Sequence, residues 1–318
     1  MRRSLILAAA AVFVLVQTGA AGAADKIRVG KAVPYIFSFT PIEIGLEKGI
    51  YAKHGLEIEN IGFQGGAKLH QGLIADVADI GLTSGADLAV VTRGTYAKAV
   101  GAMAGPPLLM GITVAYDSPI KTLNDLKGKK IGIATVGSLT HWLSLELARS
   151  RGWGPEGVEI VALGGSVPAQ AAALKLHQVD ALMESAAIGM NAEEKKEARL
   201  LAPVDYVKDF HIHMFYATTK FIAAKPDAIR RFLAAWFETM DYMRANKAET
   251  VRIARTVTNY SEAVENREYD AVMPMFSRDG KFDPKALATL SRSFVELKLL
   301  DTEPDLSKFI TEEFLPKM

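Results

Sequence analysis

The sequence has no cysteine among its 318 residues. That excludes a disulfide framework and a thiolate-ligated metal site. It also excludes a bacterial lipid anchor, which needs a cysteine at the cleavage point. An excess of charge is missing too: 37 basic side chains face 36 acidic ones, a formal net charge of +1, or −1 once Arg2 and Arg3 are set aside. So even a balance leaves no electrostatic footprint for nucleic acid. Beyond the N-terminus there is no apolar run of the roughly 20 residues that a membrane-spanning helix needs.

Arg2 and Arg3, the apolar stretch Leu5 to Val16 and the small residues Ala21-Gly22-Ala23 read as a cleavable export signal over residues 1–23. The expectation is a free, exported, monomeric chain, most simply in a Gram-negative periplasm.

What the sequence does contain is a repeat at a spacing of about a hundred residues. Ile27-Arg28-Val29-Gly30 is echoed by Ile131-Gly132-Ile133-Ala134, and Gly55-Leu56-Glu57-Ile58 by Gly157-Val158-Glu159-Ile160. Val77-Ala78-Asp79-Ile80 is echoed by Gln178-Val179-Asp180-Ala181. Three anchors in register predict two α/β lobes on one plan, each strand–helix–strand–helix–strand, facing each other across a cleft. From Pro226 onward the pattern turns helical, with Phe232, Ala235, Trp236, Thr239 and Met243 forming one stripe. The chain is thus expected to go out to a second lobe and return. The predicted division is 24–113 plus 215–318 for lobe one and 114–214 for lobe two. Two crossover strands, near Ile112–Val114 and Phe215–Ala217, would form the hinge.

Pro41-Ile42-Glu43-Ile44-Gly45-Leu46-Glu47-Lys48-Gly49-Ile50-Tyr51, followed by His54-Gly55-Leu56-Glu57-Ile58, resembles the opening of a group of solute-binding proteins. That group serves importers of nitrate, sulfonates, taurine and thiamine-precursor pyrimidines. Val77-Ala78-Asp79-Ile80-Gly81, Asp117-Ser118-Pro119-Ile120, Asp125-Leu126-Lys127-Gly128-Lys129-Lys130-Ile131-Gly132 and Gly137-Ser138 continue the likeness over roughly residues 27 to 260. The resemblance implies a type II, two-lobe periplasmic-binding-protein fold of the α/β class. It also implies delivery of a small solute to the permease and ATPase subunits of an ABC importer, with no cofactor and no catalysis.

In an open α/β sheet the ligand sits beyond the carboxyl ends of the strands. That rule selects Tyr35, Phe37, Ser38 and Phe39 after the first strand, Gly66 after the second, and Thr83 and Ser84 after the third. In lobe two it selects Gly137, Ser138, Thr140 and His141, and then Glu184. Glycines and hydroxyls at helix starts leave N–H groups free for an anion, or serve as plain caps. The aromatic residues would stack on a ring or line an apolar wall. Glu184 would accept an amine or amide hydrogen, or stand as a surface carboxylate. Thr83, Ser138 and Thr140 are expected to face the closed cleft. No arginine falls in these loops, which shifts the expectation from sulfonate or nitrate toward a pyrimidine-like ring or an aromatic acid. His211 and His213, on one face of a predicted strand, lack a third metal ligand nearby.

Two rival functions remain. One is an enzyme on the same fold acting on a pyrimidine or quinone precursor. Absence of a cysteine-rich iron motif argues against the first version and the export signal against the second. The other rival is a ligand-binding partner of a sensor kinase.

Overall fold

The computed structural model describes residues 24–154 and 156–317. The export signal expected over residues 1–23 lies outside that range. The chain begins β1 (Asp25–Lys31), α1 (Pro41–Glu47), α2 (Ile50–Lys53), β2 (Leu56–Gly62), α3 (Gly66–Ile74), β3 (Ile80–Ser84), α4 (Leu88–Val91) and β4 (Ala97–Ala104). There follow β5 (Met110–Ala115), β6 (Lys130–Ile133), α5 (Leu139–Ser150), β7 (Glu159–Ala162), α6 (Val167–Lys175), β8 (Ala181–Ser185), α7 (Ala186–Glu194) and β9 (Ala198–Pro203). The return is β10 (His213–Thr218), α8 (Thr219–Ala224), α9 (Pro226–Ala245), α10 (Lys247–Thr258), α11 (Glu262–Val272) and α12 (Pro284–Glu296).

These strands form two five-stranded sheets, β2-β1-β3-β10-β4 and β7-β6-β8-β5-β9. The two orders are the same plan. In each, three parallel strands are followed by one antiparallel strand donated at a crossing: β10 returning to the first sheet, β5 arriving in the second. The repeat extends to single atoms. The Arg28 backbone N–H donates to the Asp79 carboxylate at 2.8 Å, and the Lys130 N–H donates to the Asp180 carboxylate at 2.8 Å. Asp76 and His177, just before these aspartates, both take left-handed backbone at φ 59° and 54°.

The chain passes between sheets at 105–109 and 204–212. The expected boundaries at 113/114 and 214/215 fall inside β5 and β10, because each of those strands pairs along its whole length within one sheet. His211 accordingly precedes β10 rather than sharing a strand face with His213. Strand β9 carries no alternation in its sequence; its Leu200 and Leu201 are only partly buried, and it is recognisable only from its pairing with β5.

Proline at the first helical position starts α1, α9 and α12. Asp283 caps α12 by accepting the Lys285 and Ala286 N–H groups. The α9 stripe of Phe232, Ala235, Trp236, Thr239 and Met243 is wholly buried, with Trp236 edge-on to Phe215 of β10. No helix among the described residues is long and apolar enough to cross a membrane.

Candidate ligand-binding cleft

The aromatic loop after β1 divides in two. Tyr35 is 65% exposed, whereas Phe37, Ser38 and Phe39 form one tight turn that is almost fully buried. The turn directs Phe37 edge-on against Tyr269 at 6.1 Å and Phe39 against His213 at 4.9 Å. Phe37 and Phe39 therefore belong to the core, and Tyr35 alone of this group reaches solvent. Alternation does not apply inside a turn of this kind, so chain position could not reveal which ring faced inward.

At the end of β3, the buried Thr83 hydroxyl donates to the Asp87 carboxylate, and Ser84 Oγ accepts the Ala86 N–H at 3.1 Å. Asp87 also lies 3.6 Å from His70 Nε2, while Tyr96 Oη and His70 Nδ1 are 2.9 Å apart. Its carboxylate abuts Gly66, the first residue of α3, so closely that a Cβ there would collide with it. A helix N-terminus attracts negative charge. At α3 the chain's own carboxylate already lies there.

The start of α5 in the second lobe is an internally closed network. Ser138 Oγ donates to the Thr135 carbonyl at 2.7 Å, stands 2.9 Å from Thr140 Oγ1 and accepts the His141 N–H. Thr140 Oγ1 accepts the Ala134 N–H at 3.1 Å. The Gly137 N–H points at His141 Nδ1 at 3.1 Å, which makes that nitrogen the acceptor and places the ring proton on Nε2. Partial burial lowers the His141 pKa, in keeping with a neutral ring.

These two ends meet. Ser84, Asp87, Val90 and Arg93 from lobe one and Gly137, Ser138 and Leu139 from lobe two surround a cavity of about 280 Å³, closed behind by Leu297 and Leu299. Of the expected residues, Ser84, Gly137 and Ser138 line it directly. Thr83 and Gly66 act on it through Asp87, and Thr140 and His141 through Ser138 and Gly137. No arginine falls in the strand-end loops, but Arg93, beyond α4, also lines the cavity, its guanidinium donating to the Leu299 carbonyl. Asp87, Val90 and Arg93 are spaced three apart, the signature of one face of a helical turn. Extending the strand-end rule one turn into the following helix would have found them.

Glu184 is elsewhere. It lines a separate cavity of about 430 Å³ within the second lobe, between α6 and α7. His211 accepts the Asp283 N–H, and His213 is packed beneath Phe39; burial pushes both down to about 4, so neither is charged near neutrality.

Comparison with known proteins agrees with this architecture. Residues 36–250 match the family model described as NMT1/THI5 like. A candidate binding protein of Brucella abortus is 28% identical over 256 residues, 80% of this chain and 78% of the relative. A candidate aliphatic sulfonates-binding protein of Bacillus subtilis is 31% identical over 145 residues, 42% of each chain. Among solved structures, the periplasmic aliphatic sulphonate binding protein SsuA from Escherichia coli superposes with a TM-score of 0.75 at 21% identity, over 90% of this chain and 97% of that one. The desulfurization enzyme DSZB superposes at 0.64 and 17% identity, over 91% of this chain and 97% of its own. With more than half of its length inside the family model, the chain belongs to the NMT1/THI5-like family, built on the periplasmic-binding-protein fold.

Proposed function

We propose that this chain is the periplasmic substrate-binding component of an ABC importer, capturing a small organic solute as its lobes close. The carrying observation is the cavity lined by Ser84 and Asp87 from one lobe and by Gly137 and Ser138 from the other, so that closure itself completes the site. In this reading the lobes are 24–104 with 213–317, and 110–203, hinged at the two passages between sheets. The solute has an apolar body, matched by Val90, Leu139, Leu297 and Leu299, and a polar end that meets Ser84 and Ser138. Relatives named for aliphatic sulfonates make an alkyl sulfonate one candidate, which Arg93 could meet once released from Leu299. A ring compound is the other, its face matched by the same apolar wall.

The fold also carries an enzyme, but the one serine–histidine pairing at this site is unsuited to turnover. The Ser138 hydroxyl is committed to Thr135, and His141 Nδ1 to Gly137. Neither is poised to activate the other.

A thermal-unfolding screen of ligand-stripped protein against alkyl sulfonates, taurine, nitrate, pyrimidines and aromatic carboxylates tests the proposal. A ligand at a hundred times its Kd adds about 2.7 kcal/mol, which raises the midpoint by several degrees. Conversion of any panel compound to product would overturn the binding-protein reading, as would failure of the whole panel to shift the midpoint.

A further inference from the structure

A cavity larger than that of the cleft lies within the second lobe, and its origin is visible in the sequence. Helix α6 presents Ala171 and Ala172, and α7 presents Ala192, where longer side chains would fill the space above the sheet, whereas Gly189 of α7 lies hard against the Thr113 hydroxyl. The resulting groove of about 430 Å³ is walled by Val167, Leu174, Leu182, Ile188 and Ala198. It follows α6 from Val167 to Lys175, a length of about 12 Å at 1.5 Å per residue. Lys175, Lys196 and Glu197 also border it, exposed to solvent and to screening by salt.

Two buried polar groups, Glu184 and Thr113, line this groove. Glu184 is 6% exposed, and the residue opposite it on β5 is Gly111, which offers no side chain. The Thr113 hydroxyl is its hydrogen-bonding neighbour, and its charge reaches Tyr260 of the other lobe, adding to the burial that raises that phenol. Thr113 is fully buried and itself has no hydrogen-bond partner of standard geometry. An isolated buried carboxylate is among the most costly groups a fold can hold. Burial pushes Glu184 up to about 7, so it is readily ionised by a cation brought beside it.

We propose that the α6–α7 groove is a second ligand site, separate from the interlobe cleft, which takes a small amphiphilic primary amine. The ammonium group bonds to Glu184 and Thr113, and the apolar tail lies along Val167, Leu174 and Ile188. The site is contained in one lobe, so it does not depend on lobe closure or on the identity of the cleft solute.

The test uses n-hexylamine on the full mature chain, with n-hexanol and hexanoate as controls, followed by calorimetry and by methyl NMR. The expected result is hexylamine binding at least tenfold tighter than either control, with the Val167, Leu182 and Ile188 methyl signals moving and those of Leu297 and Leu299 still. Glu184→Gln should weaken hexylamine by at least tenfold, about 1.4 kcal/mol, while keeping the wild-type circular dichroism. Ala192→Phe, which fills the groove and keeps the carboxylate, should weaken all binding there. Equal affinity for the three probes, movement confined to the leucines of the cleft, or unchanged affinity in Glu184→Gln would each overturn the proposal. So would no detectable hexylamine binding up to about 10 mM.

Discussion

Buried acids and buried histidines pull the stability of this protein in opposite directions as pH changes. Glu268, on α11, is 5% exposed beside Glu265, and burial pushes it up to about 8 from an ordinary 4.5. The folded chain then holds a proton that the unfolded chain releases, so this stability is complete below about 4.5 and is lost as pH rises toward 8. His211 and His213 have the reverse sign: neutral in the fold down to about 4, they favour it above 6.5 and lose that advantage as pH falls. Between pH 6.5 and 8 the histidine contribution is flat, which leaves the raised acids, Glu268 together with Glu184, to set the slope. Urea unfolding of Glu268→Gln across that window should show a flatter pH dependence than the unsubstituted chain. Parallel slopes would mean that Glu268 ionises normally. The spacing of Val264, Glu268 and Val272 sets Glu268 on the buried face of α11, but a glutamate at that position does not extend an apolar stripe and so reads as solvent-facing.

Local hydrogen bonding at the element scale accounts for what strand-end reasoning found and what it missed. Ser84, Gly137 and Ser138 were legible because a helix following a parallel strand must start near the cleft, whatever its side chains. Their partners were not legible, because capping depends on backbone angles that the sequence leaves open. Thr140 illustrates this: it was expected to face the cleft, yet its hydroxyl serves Ala134 and Ser138. Thr140→Val should cost about 0.5 to 1.5 kcal/mol in urea unfolding, the range for losing a hydrogen bond at a half-buried site. A wild-type midpoint would show that the hydroxyl is spare and free for a ligand. The helical return was legible: α9 starts at Pro226, where the pattern turns helical, and buries the entire stripe spaced three or four apart. Strand β9 was not, since an edge strand with three of its six residues Ala or Pro has little signal of its own.

Seen whole, the two lobes touch on both flanks of the cleft through the C-terminal helices. On one side Glu296 of α12 accepts the Trp142 indole N–H at 2.9 Å and pairs with Arg149 at 2.6 Å, both from α5. On the other, Arg267 of α11 pairs with Glu193 of α7 at 2.6 Å. The exposed ion pairs are individually weak, but Trp142 is fully buried and its indole N–H loses its acceptor when Glu296 is removed. Glu296→Ala should therefore let the ligand-free protein open, seen as a larger radius of gyration in solution scattering and weaker solute affinity. An unchanged radius would place the restraint elsewhere. This two-flank contact could not be read from the repeat, because α11 and α12 have no counterpart in it.

Asp87 at the head of α3 has one further consequence. An open helix terminus attracts any small anion, sulfate, phosphate and chloride alike, by on the order of 0.3 to 1 kcal/mol. A tethered carboxylate in that position is a permanent internal competitor, effectively concentrated and impossible to wash away. The protein gives up some attraction for anions in general and in exchange stays unclogged, so the abundance of salts in its surroundings does not decide whether a rarer molecule can enter.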